Sequence, residues 1–268
     1  MTAKVTIVIP TYNGEKYIKK TIQSCIDQTY PNISVIIIDD NSTDNTLNEL
    51  KYFNSEIKII RNIANQGLPK NINKVILNDD STFFIYLGHD DILPNRHVEI
   101  MVNTFNTETV AVHCNSMAID PYDNKLSFTR DDEIQIKKTN NIMYQLSIDN
   151  FISVIGMMHR TDIFKSICGW DESYDLYGEW LYYIKLAQYG KIKYTKETYA
   201  FYRIHDNNIT KSLHINKDKL QKYYQYKKKC RQLAHRHTAF SFYNEFNYRK
   251  YYLLNYLRYI KALYKSFN

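Results

Sequence analysis

Residues 83–94 read Phe83-Phe84-Ile85-Tyr86-Leu87-Gly88-His89-Asp90-Asp91-Ile92-Leu93-Pro94, and they combine a predicted buried strand with two acids at its end. The stretch begins with five apolar or aromatic residues, a run short enough for a buried strand, and two adjacent carboxylates follow where that strand should end. In an open α/β sheet the ligand crevice lies at the carboxyl ends of the strands. Paired carboxylate oxygens at that edge suit Mg²⁺ or Mn²⁺ carrying a diphosphate. The stretch therefore predicts a metal-assisted binding site.

The same two acids also have a purely structural interpretation. Proline is a favoured first residue of a helix, and a carboxylate just before a helix commonly caps it. Asp90 and Asp91 would then cap a helix that opens at Pro94. The stretch by itself does not separate these two interpretations.

The composition is that of a globular protein able to bury a substantial core. The chain has 268 residues, of which 44% are hydrophobic and 24% are charged. It contains no run of about 18 apolar residues, and residues 1–4 lead straight into a predicted strand, so we expect neither a membrane span nor a signal peptide. We accordingly expect a cytoplasmic protein. The four cysteines lack CxxC spacing and are expected to be reduced thiols.

Charge is unevenly distributed along the chain. Residues 217–268 contain 13 Lys or Arg and 2 Asp or Glu, a net charge of +11. The other 216 residues contain 22 basic and 26 acidic side chains, a net charge of −4. A mildly acidic body is therefore followed by a basic segment rich in tyrosine, which is the clearest change of composition in the chain.

The amino-terminal part shows the pattern of a parallel α/β sheet. Val5–Ile9 is a β-branched strand followed by turn residues, and residues 15–28 have helical periodicity. Residues 33–38 are apolar almost without interruption, as expected when helices cover both faces of the sheet. This second strand ends in the polar run 39–44, where Ser42, Thr43 or Asp44 is expected to cap the next helix.

Three segments together resemble family 2 glycosyltransferases with the GT-A fold. These are Val5-Thr6-Ile7-Val8-Ile9-Pro10-Thr11-Tyr12-Asn13, Gln28-Thr29-Tyr30 and Ile38-Asp39-Asp40-Asn41-Ser42-Thr43-Asp44-Asn45-Thr46. Each is short, but they occur in the family's order and spacing, and with later segments the resemblance covers roughly residues 4–210. It implies a Rossmann-like, mixed and mainly parallel sheet flanked by helices, here with a C-terminal helical extension.

The resemblance implies a nucleotide site at the ends of the first two strands. Pro10, Thr11 and Tyr12 would border the nucleoside. A carboxylate of Asp39 or Asp40 would accept a hydrogen bond from a pyrimidine N3–H or a guanine N1–H, with a slight preference for Asp40. The alternative for Asp39 is a buried acid paired at the sheet edge.

A second part of that site is implied by Asn65-Gln66-Gly67-Leu68-Pro69-Lys70-Asn71. In the family this segment lies beside the nucleotide, which would place Asn65 next to it and Lys70 near the diphosphate or ribose. The alternative is that Lys70 is an ordinary solvated lysine on a helix.

The metal motif of the family commonly reads Leu-Asp-x-Asp-Asp, and here its first acid is replaced by Gly88. The resemblance implies that Asp91 binds Mn²⁺ or Mg²⁺ directly and that Asp90 contacts ribose or water. It also places the histidine of Tyr202-Arg203-Ile204-His205 near the diphosphate or the metal, so His205 is a second candidate ligand.

The catalytic base is implied by the segment from Gly178 to Ala187, in which Glu179 aligns with the family's general base. Gly178 replaces the acid that commonly precedes that base. The alternative for Glu179 is a favourable position near the positive end of a helix dipole.

We expect a catalytic domain over residues 1–214, with a nucleotide half (1–93) and an acceptor half (94–214), and a basic, tyrosine-rich helical extension over 215–268. Residues 125–150 are too polar to assign. The extension carries two apolar stripes that alternate with cations: Leu220, Tyr223, Tyr224, Leu233 and Ala234, then Tyr252, Leu253, Tyr256, Leu257, Ile260 and Leu263.

These stripes suit the inner face of an anionic membrane with a lipid-linked or saccharide acceptor. Packing against the catalytic domain or a second subunit of a homo-oligomer would explain the same pattern. No RNA-binding signature is present, so no nucleic-acid partner is expected.

The sequence thus predicts inverting sugar transfer from a nucleoside-diphosphate sugar, with UDP as the favoured nucleotide, to an acceptor hydroxyl in bacterial surface polysaccharide or glycolipid synthesis. The alternative is a nucleotide-sugar-binding regulator with a degraded site, suggested by Gly88 and Gly178. A dinucleotide oxidoreductase is far less favoured, because no GxGxxG follows Ile9 or Ile38.

Overall fold

An eight-stranded sheet forms the centre of the molecule, with strand order β3-β2-β1-β4-β7-β5-β6 and with β8 paired to β5. The computed structural model describes residues 2–206, 208, 217–238 and 241–265. The strands are β1 (Val5–Thr11), β2 (Ile33–Asp39), β3 (Lys58–Arg61), β4 (Phe83–Tyr86), β5 (Thr109–Ile119), β6 (Lys125–Phe128), β7 (Met158–Arg160) and β8 (Lys191–Arg203).

Helices cover both faces of the sheet. They are α1 (Ile18–Ile26), α2 (Thr46–Leu50), α3 (Leu68–Ile76), α4 (His97–Thr104), α5 (Asp132–Thr139), α6 (Ile142–Ile148), α7 (Thr161–Ser166), α8 (Gly178–Leu186), α9 (Lys217–Arg236) and α10 (Phe242–Lys265). A 3₁₀ turn, Lys51–Phe53, follows α2, and a 3₁₀ helix, Glu172–Tyr177, leads into α8.

The sheet is mixed and mainly parallel, as the sequence predicts. Strands β1, β2, β3 and β4 run parallel to one another, and β8 runs parallel to β5. Strand β7 is antiparallel to both β4 and β5, and β6 is antiparallel to β5. The carboxyl ends of β1, β2, β4 and β8 therefore meet at one edge of the sheet.

Alternating side chains of β1 enter two separate core layers. Ile7 and Ile9 pack with Ile18 and Ile22 of α1 on one face. Val8 belongs to the layer on the other face, which holds α3 and α8. Each fully buried isoleucine stabilises the fold by roughly 1.5–3 kcal/mol, so both layers fix the positions of the strand ends.

The first C-terminal helix is part of that second layer. Tyr226, Cys230 and Ala234 of α9 are buried with the side chains of α8. Helix α10 packs on α9 and α6, and the rings of Tyr224 and Tyr259 stack with centroids 4.1 Å apart. The predicted domain boundary between residues 214 and 215 lies outside the described residues.

Two local predictions differ from the structure. The helix after the acids begins at His97, three residues later than predicted, and Ile92 forms a bridge with Phe201 of β8 before it. Its N-cap residue, Arg96, makes no side-chain capping hydrogen bond, and the cap interpretation of Asp90 and Asp91 is therefore wrong. Residues 125–150, which the sequence leaves unassigned, form β6, α5 and α6.

Candidate active site

The candidate site is built on the sheet edge where β1, β2 and β4 end. Thr11, the last residue of β1, lies opposite Asp39, the last residue of β2. Both side chains are almost completely buried, whereas the neighbouring Tyr12 is 46% exposed. Parallel register thus brings together the predicted nucleoside contacts of two segments that are far apart in sequence.

Side-chain hydrogen bonds join the loops that follow β1 and β2. Asn13 donates its backbone N–H to Ser42 Oγ at 3.0 Å, and its Oδ1 accepts from the backbone N–H of Thr43 at 2.9 Å. Gly14 donates to Thr46 Oγ1 at 2.8 Å. A Cβ on Gly14 would lie 2.5 Å from Thr11 Oγ1 and 2.9 Å from the His89 ring, so glycine allows this loop to touch the acid-containing loop.

The structure separates the roles of the two acids at the end of β2. Asp40 is fully engaged: Oδ1 accepts from Asn62 Nδ2 and the Gln66 N–H, both at 2.8 Å, and Oδ2 accepts from the Gly67 N–H at 2.9 Å. Asp39 accepts from the Ser42 N–H at 3.3 Å through Oδ1, while its buried Oδ2 makes no hydrogen bond. Which of the two acids contacts the base stays a prediction, and Asp39 is the one with a carboxylate oxygen that makes no hydrogen bond.

Asn65 and Lys70 line one cleft of about 390 Å³. Its other walls are Gln66, Gly67, Pro69 and, from the 3₁₀ helix before α8, Glu172. Glu172 accepts a hydrogen bond from Asn73 of α3 at 3.0 Å, which joins the two sides of the cleft. Lys70 is exposed at this cleft, so its placement agrees with both interpretations of that residue.

Strand β8 positions the paired acids. Ile92 forms an antiparallel bridge with Phe201, with N–H to O distances of 3.2 and 2.8 Å. This pairing lets Asp91 Oδ1 accept the backbone N–H of Arg203 at 3.1 Å. Burial, followed by the charge of Asp90, raises the pKa of Asp91 well above its usual range.

Arg203 and the predicted residue His205 of the Tyr-Arg-x-His segment contact Asp90 in different ways. His205 Nε2 is hydrogen-bonded to Asp90 Oδ2 at 2.8 Å. The fully buried guanidinium of Arg203 donates from Nε to the Asp90 carbonyl at 2.9 Å and lies 4.6 Å from the ring centroid of Tyr17. His205 is therefore placed as a partner of Asp90.

The environment of the two acids suits a small divalent cation. An added Cβ on Gly88 would lie 2.8 Å from Asp90 Oδ1 and 2.8 Å from Asp91 Oδ2, so one oxygen of each carboxylate faces the same space. Mg²⁺ commonly takes one or two carboxylates together with phosphate oxygens and waters. Within the described ranges no group of three or more His, Cys, Asp and Glu side chains is arranged to hold a metal. The residues present fit a metal that shares its coordination with a diphosphate.

Glu179 lies in the first turn of α8 and is half-buried. Its Oε1 accepts a hydrogen bond from Asn150 Nδ2 at 2.9 Å. Burial raises the pKa of Glu179 to about 7, against the smaller opposing effects of the Asn150 hydrogen bond and the charge of Arg130. A carboxyl group with that pKa can accept a proton near neutral pH.

Sequence reasoning missed Tyr86 and Asn150. Burial, and then the charges of Asp91, Asp90 and Glu179, raise the pKa of Tyr86, so its hydroxyl lies within electrostatic reach of all three acids. Its position at the end of β4 was the available signal, because a tyrosine there faces the ligand crevice. Asn150 gave no such signal, since its link to Glu179 spans 29 residues.

The sequence comparison identifies the family. Residues 6–165 match the family model described as "Glycosyl transferase family 2", which is more than half of the chain. The chain belongs to glycosyl transferase family 2. The matched region includes the paired acids and ends before Glu179.

The relatives of this family 2 chain include uncharacterized bacterial glycosyltransferases. One from Rickettsia typhi is 27% identical over 209 residues, which cover 77% of this chain and 65% of the relative. One from Rickettsia conorii is 28% identical over 191 residues, covering 65% of this chain and 30% of the relative. The chain thus spans less than two thirds of the length of each.

Solved family-like structures share the fold across nearly the whole chain. Staphylococcus aureus TarS 1–349 in complex with UDP-GlcNAc aligns with a TM-score of 0.68 and 18% identity, covering 97% of this chain and 81% of TarS 1–349. The mannosyltransferase PcManGT from Pyrobaculum calidifontis, in complex with GDP-Man and Mn²⁺, aligns with a TM-score of 0.65 and 12% identity, covering 100% and 88%. These similarities establish the GT-A fold.

Proposed function

We propose that this protein is an inverting glycosyltransferase that transfers a sugar from a nucleoside diphosphate, with UDP favoured, to an acceptor hydroxyl. Bacterial surface polysaccharide or glycolipid synthesis is the proposed setting. The observation that carries the proposal is Glu179, a half-buried carboxyl in the first turn of α8 that accepts a hydrogen bond from Asn150 at 2.9 Å and whose pKa burial raises to about 7.

Asp39 is the proposed contact to the base. Its buried Oδ2 makes no hydrogen bond and lies 3.6 Å from Arg61 Nε, beyond hydrogen-bonding distance. A carboxylate oxygen accepts from the N3–H of uracil or the N1–H of guanine, whereas adenine offers no ring N–H there. TarS was solved with UDP-GlcNAc and PcManGT with GDP-Man, and both nucleotides carry such a donor. Thr11 and Tyr12 would border the nucleoside.

Asp90 and Asp91 would hold Mn²⁺ or Mg²⁺ through the two oxygens that face the space above Gly88. A bound divalent ion neutralises the negative charge that develops on the leaving diphosphate. His205 orients Asp90 through their 2.8 Å hydrogen bond, and Arg203 fixes Asp91 through its backbone N–H. In this arrangement His205 supports a metal ligand and is not required as one.

Glu179 would act as the general base. Its carboxylate takes the proton of the acceptor hydroxyl while that oxygen attacks the anomeric carbon on the face opposite the diphosphate. The bond from that carbon to the diphosphate oxygen breaks, and its electron pair leaves with the diphosphate. One displacement inverts the anomeric centre, and the proton remains on Glu179.

The exposed face of α10 is the proposed membrane contact. At 3.6 residues per turn, five large side chains fall on one side of the helix: Phe246, Leu253, Leu257, Ile260 and Tyr264, exposed to between 43% and 69%. Lys250 and Lys261 lie along the edge of this stripe. Exposed cations beside apolar residues complement an anionic bilayer and would repel a second copy of the same face.

No helix in the described ranges has the length and hydrophobicity needed to cross a bilayer. The contact proposed for α10 is a peripheral one, on the cytoplasmic face. Sedimentation with phosphatidylglycerol vesicles tests it, with phosphatidylcholine vesicles and Lys58→Glu as controls, since Lys58 is exposed in β3. Leu253→Glu with Leu257→Glu should abolish sedimentation. A dimer that the same pair of substitutions dissociates, with no vesicle binding, would assign the stripe to a subunit interface instead.

Calorimetry of nucleotide binding tests the donor site. UDP, GDP, dTDP and CDP are titrated into the wild type and Asp91→Asn, each with and without Mn²⁺. We expect UDP to bind, Mn²⁺ to strengthen binding about tenfold or more, and Asp91→Asn to remove that gain. Asp27→Asn, at an exposed acid after α1, is the matched control. Nucleotide binding without turnover of any donor would favour the degraded regulator instead.

A further inference from the structure

The base helix is held by a helix from the other end of the chain. Tyr226 of α9 is only 2% exposed, and its hydroxyl accepts the backbone N–H of Leu181 at 3.0 Å. Leu181 lies in the first turn of α8, two residues after Glu179. This hydroxyl therefore fixes the turn that carries Glu179.

A second connection reaches Glu179 through the end of α6. Arg231 of α9 is 2% exposed, and its Nε donates to the carbonyl of Ile148, the last residue of α6, at 2.8 Å. Two residues later, Asn150 donates to Glu179 Oε1 at 2.9 Å. A buried arginine thus fixes the backbone from which this amide extends.

The two connections meet at Trp180. Its Nε1 donates to the carbonyl of Leu146 at 3.1 Å, which ties α8 to the same end of α6. The guanidinium of Arg231 lies 5.3 Å from the centroid of the Trp180 ring. The ends of α6 and α8 and the middle of α9 therefore form one hydrogen-bonded unit around the candidate base.

We propose that Tyr226 and Arg231 are positioning residues for Glu179, so that the tyrosine-rich C-terminal helix α9 sets the orientation and proton affinity of the catalytic base. The inference rests on the proposed role of Glu179. Neither side chain is proposed to touch substrate. Tyr226 acts on the helix turn, and Arg231 acts on the Asn150 amide.

The test measures Glu179 without any substrate. The carboxyl of Glu179 is titrated by infrared spectroscopy. At each pH, the spectrum of Glu179→Gln is subtracted from that of the wild type, which leaves the signal of this carboxyl. For each variant, the spectrum of the same variant with Glu179→Gln is subtracted. The wild-type midpoint is expected near pH 7. Loss of a hydrogen bond to the charged form raises a pKa, so Asn150→Ala should move the midpoint upward by about one unit. Arg231→Met should move it in the same direction by about half a unit or more.

Other titratable and charged groups face Glu179 and are unchanged in the Asn150 and Arg231 variants. They are Tyr86 of β4, Tyr183 of α8, Arg130 of the loop before α5, and Tyr223 and Tyr226 of α9. Burial raises the pKa of each of these tyrosines, so they stay neutral through the titration. Arg231→Met also removes a positive charge, which by itself raises the pKa of a nearby carboxyl. An upward shift that appears in the wild-type background and is absent in the Asn150→Ala background is therefore the one that reports a displaced Asn150 amide.

Tyr226→Phe keeps the ring and removes only the hydroxyl, so it preserves packing. This variant therefore tests the proposal even if Arg231→Met does not fold. Hydrogen exchange should become about tenfold faster in the peptide that contains Leu181. Tyr224→Phe and Arg236→Met are the matched controls, because both lie on α9 at half-buried or exposed positions and should leave exchange and midpoint unchanged.

The outcomes separate the two proposals. If Asn150→Ala shifts the midpoint while Arg231→Met and Tyr226→Phe leave the midpoint and the exchange rate unchanged, α9 does not position Glu179. If Glu179→Gln retains sugar transfer, Glu179 is not the base, whatever the titration shows. Shifts in both α9 variants, with the controls unchanged, support the inference.

Discussion

The paired acids after β4 and the lone acid of α8 are two carboxylate sites built in different ways. Asp90 and Asp91 follow one strand and are held by the backbone and side chains of the segment that ends β8. Glu179 is held by an amide from the end of α6, and that end is in turn held by Arg231 of α9. The first site depends on the sheet, whereas the second depends on helices that pack on it late in the chain.

Burial raises the pKa of both Asp91 and Glu179, so the two sites differ in the number of carboxylates and not in the direction of the shift. Two adjacent acids in a buried site favour a cation, which would stabilise both charges at once. A single half-buried acid whose pKa burial raises to about 7 favours proton exchange. The comparison therefore predicts that substitutions at the two sites have separable effects on nucleotide binding and on transfer.

The largest expected effect is at the base. Glu179→Gln should lower kcat for sugar transfer by about 10³-fold or more, because glutamine cannot accept the proton, while nucleotide affinity changes less than about twofold. Steady-state kinetics and calorimetry measure the two quantities. Glu56→Gln, at an exposed glutamate before β3, is the control. A comparable loss of nucleotide affinity in Glu179→Gln would contradict the separation of the two sites.

The next effect is on the pH dependence of transfer. Glu179 must be deprotonated to act as a base, so kcat/KM should fall about tenfold for each pH unit below about 7. The rate should level off above that pH, because the carboxylate is then fully formed. A pH–rate profile measures this, and a rate that stays constant down to pH 5 would show that another group takes the proton.

A smaller effect is expected at Gly88. The methyl group of Gly88→Ala would lie 2.8 Å from one oxygen of each carboxylate, so it would occupy the space proposed for the metal. We expect Mn²⁺-dependent nucleotide affinity to fall about tenfold, or ~1.4 kcal/mol, while metal-free affinity is unchanged. Calorimetry with and without Mn²⁺ decides this. Unchanged Mn²⁺ stimulation would place the metal elsewhere.

An effect of similar size, confined to high pH, is expected on stability. The pKa of Glu179 is raised in the folded protein, so folding favours its protonated form, and its contribution to the free energy of unfolding falls as pH rises from about 4.5 to about 7. Glu179→Gln removes this loss and should stabilise the protein by about 1–2 kcal/mol at pH 8 and much less at pH 5. Denaturant unfolding at both pH values measures it, and equal effects would contradict the burial argument.

The sheet-built site could be predicted well from the sequence. The runs Val5–Ile9 and 33–38 predicted strands that the structure extends by only one or two residues, and the acids after β4 lie at the predicted edge. Hydrophobic runs identify the strands, and the parallel pairing of those strands brings their carboxyl ends to one edge. Most of the sheet-built site can therefore be predicted from local sequence. Which of Asp39 and Asp40 accepts hydrogen bonds from the later loop was not predictable. The N–H groups that bond Asp40 belong to residues 26 and 27 positions further along the chain.

The helix-built site was predictable only in part. Glu179 was found through the family resemblance, but its support comes from residues such as Asn150 and Arg231, whose sequence context shows nothing unusual. Their roles depend on contacts across 29 and 83 residues. Tyr226 and Arg231 were read only as part of a basic, tyrosine-rich segment, because periodicity does not say which face of a helix meets which partner.

The burial of Cys230 makes its thiol a probe of how often helix α9 detaches. Cys168 is exposed, whereas Cys230 is completely buried on the face of α9 that packs against the rest of the chain, and burial raises the pKa of its thiol to about 12. A thiol reagent can therefore modify Cys230 only while α9 is detached. In a Cys168→Ser protein, the labelling rate of Cys230 relative to the sheet cysteine Cys114 reports how often this helix leaves its position without the fold being lost.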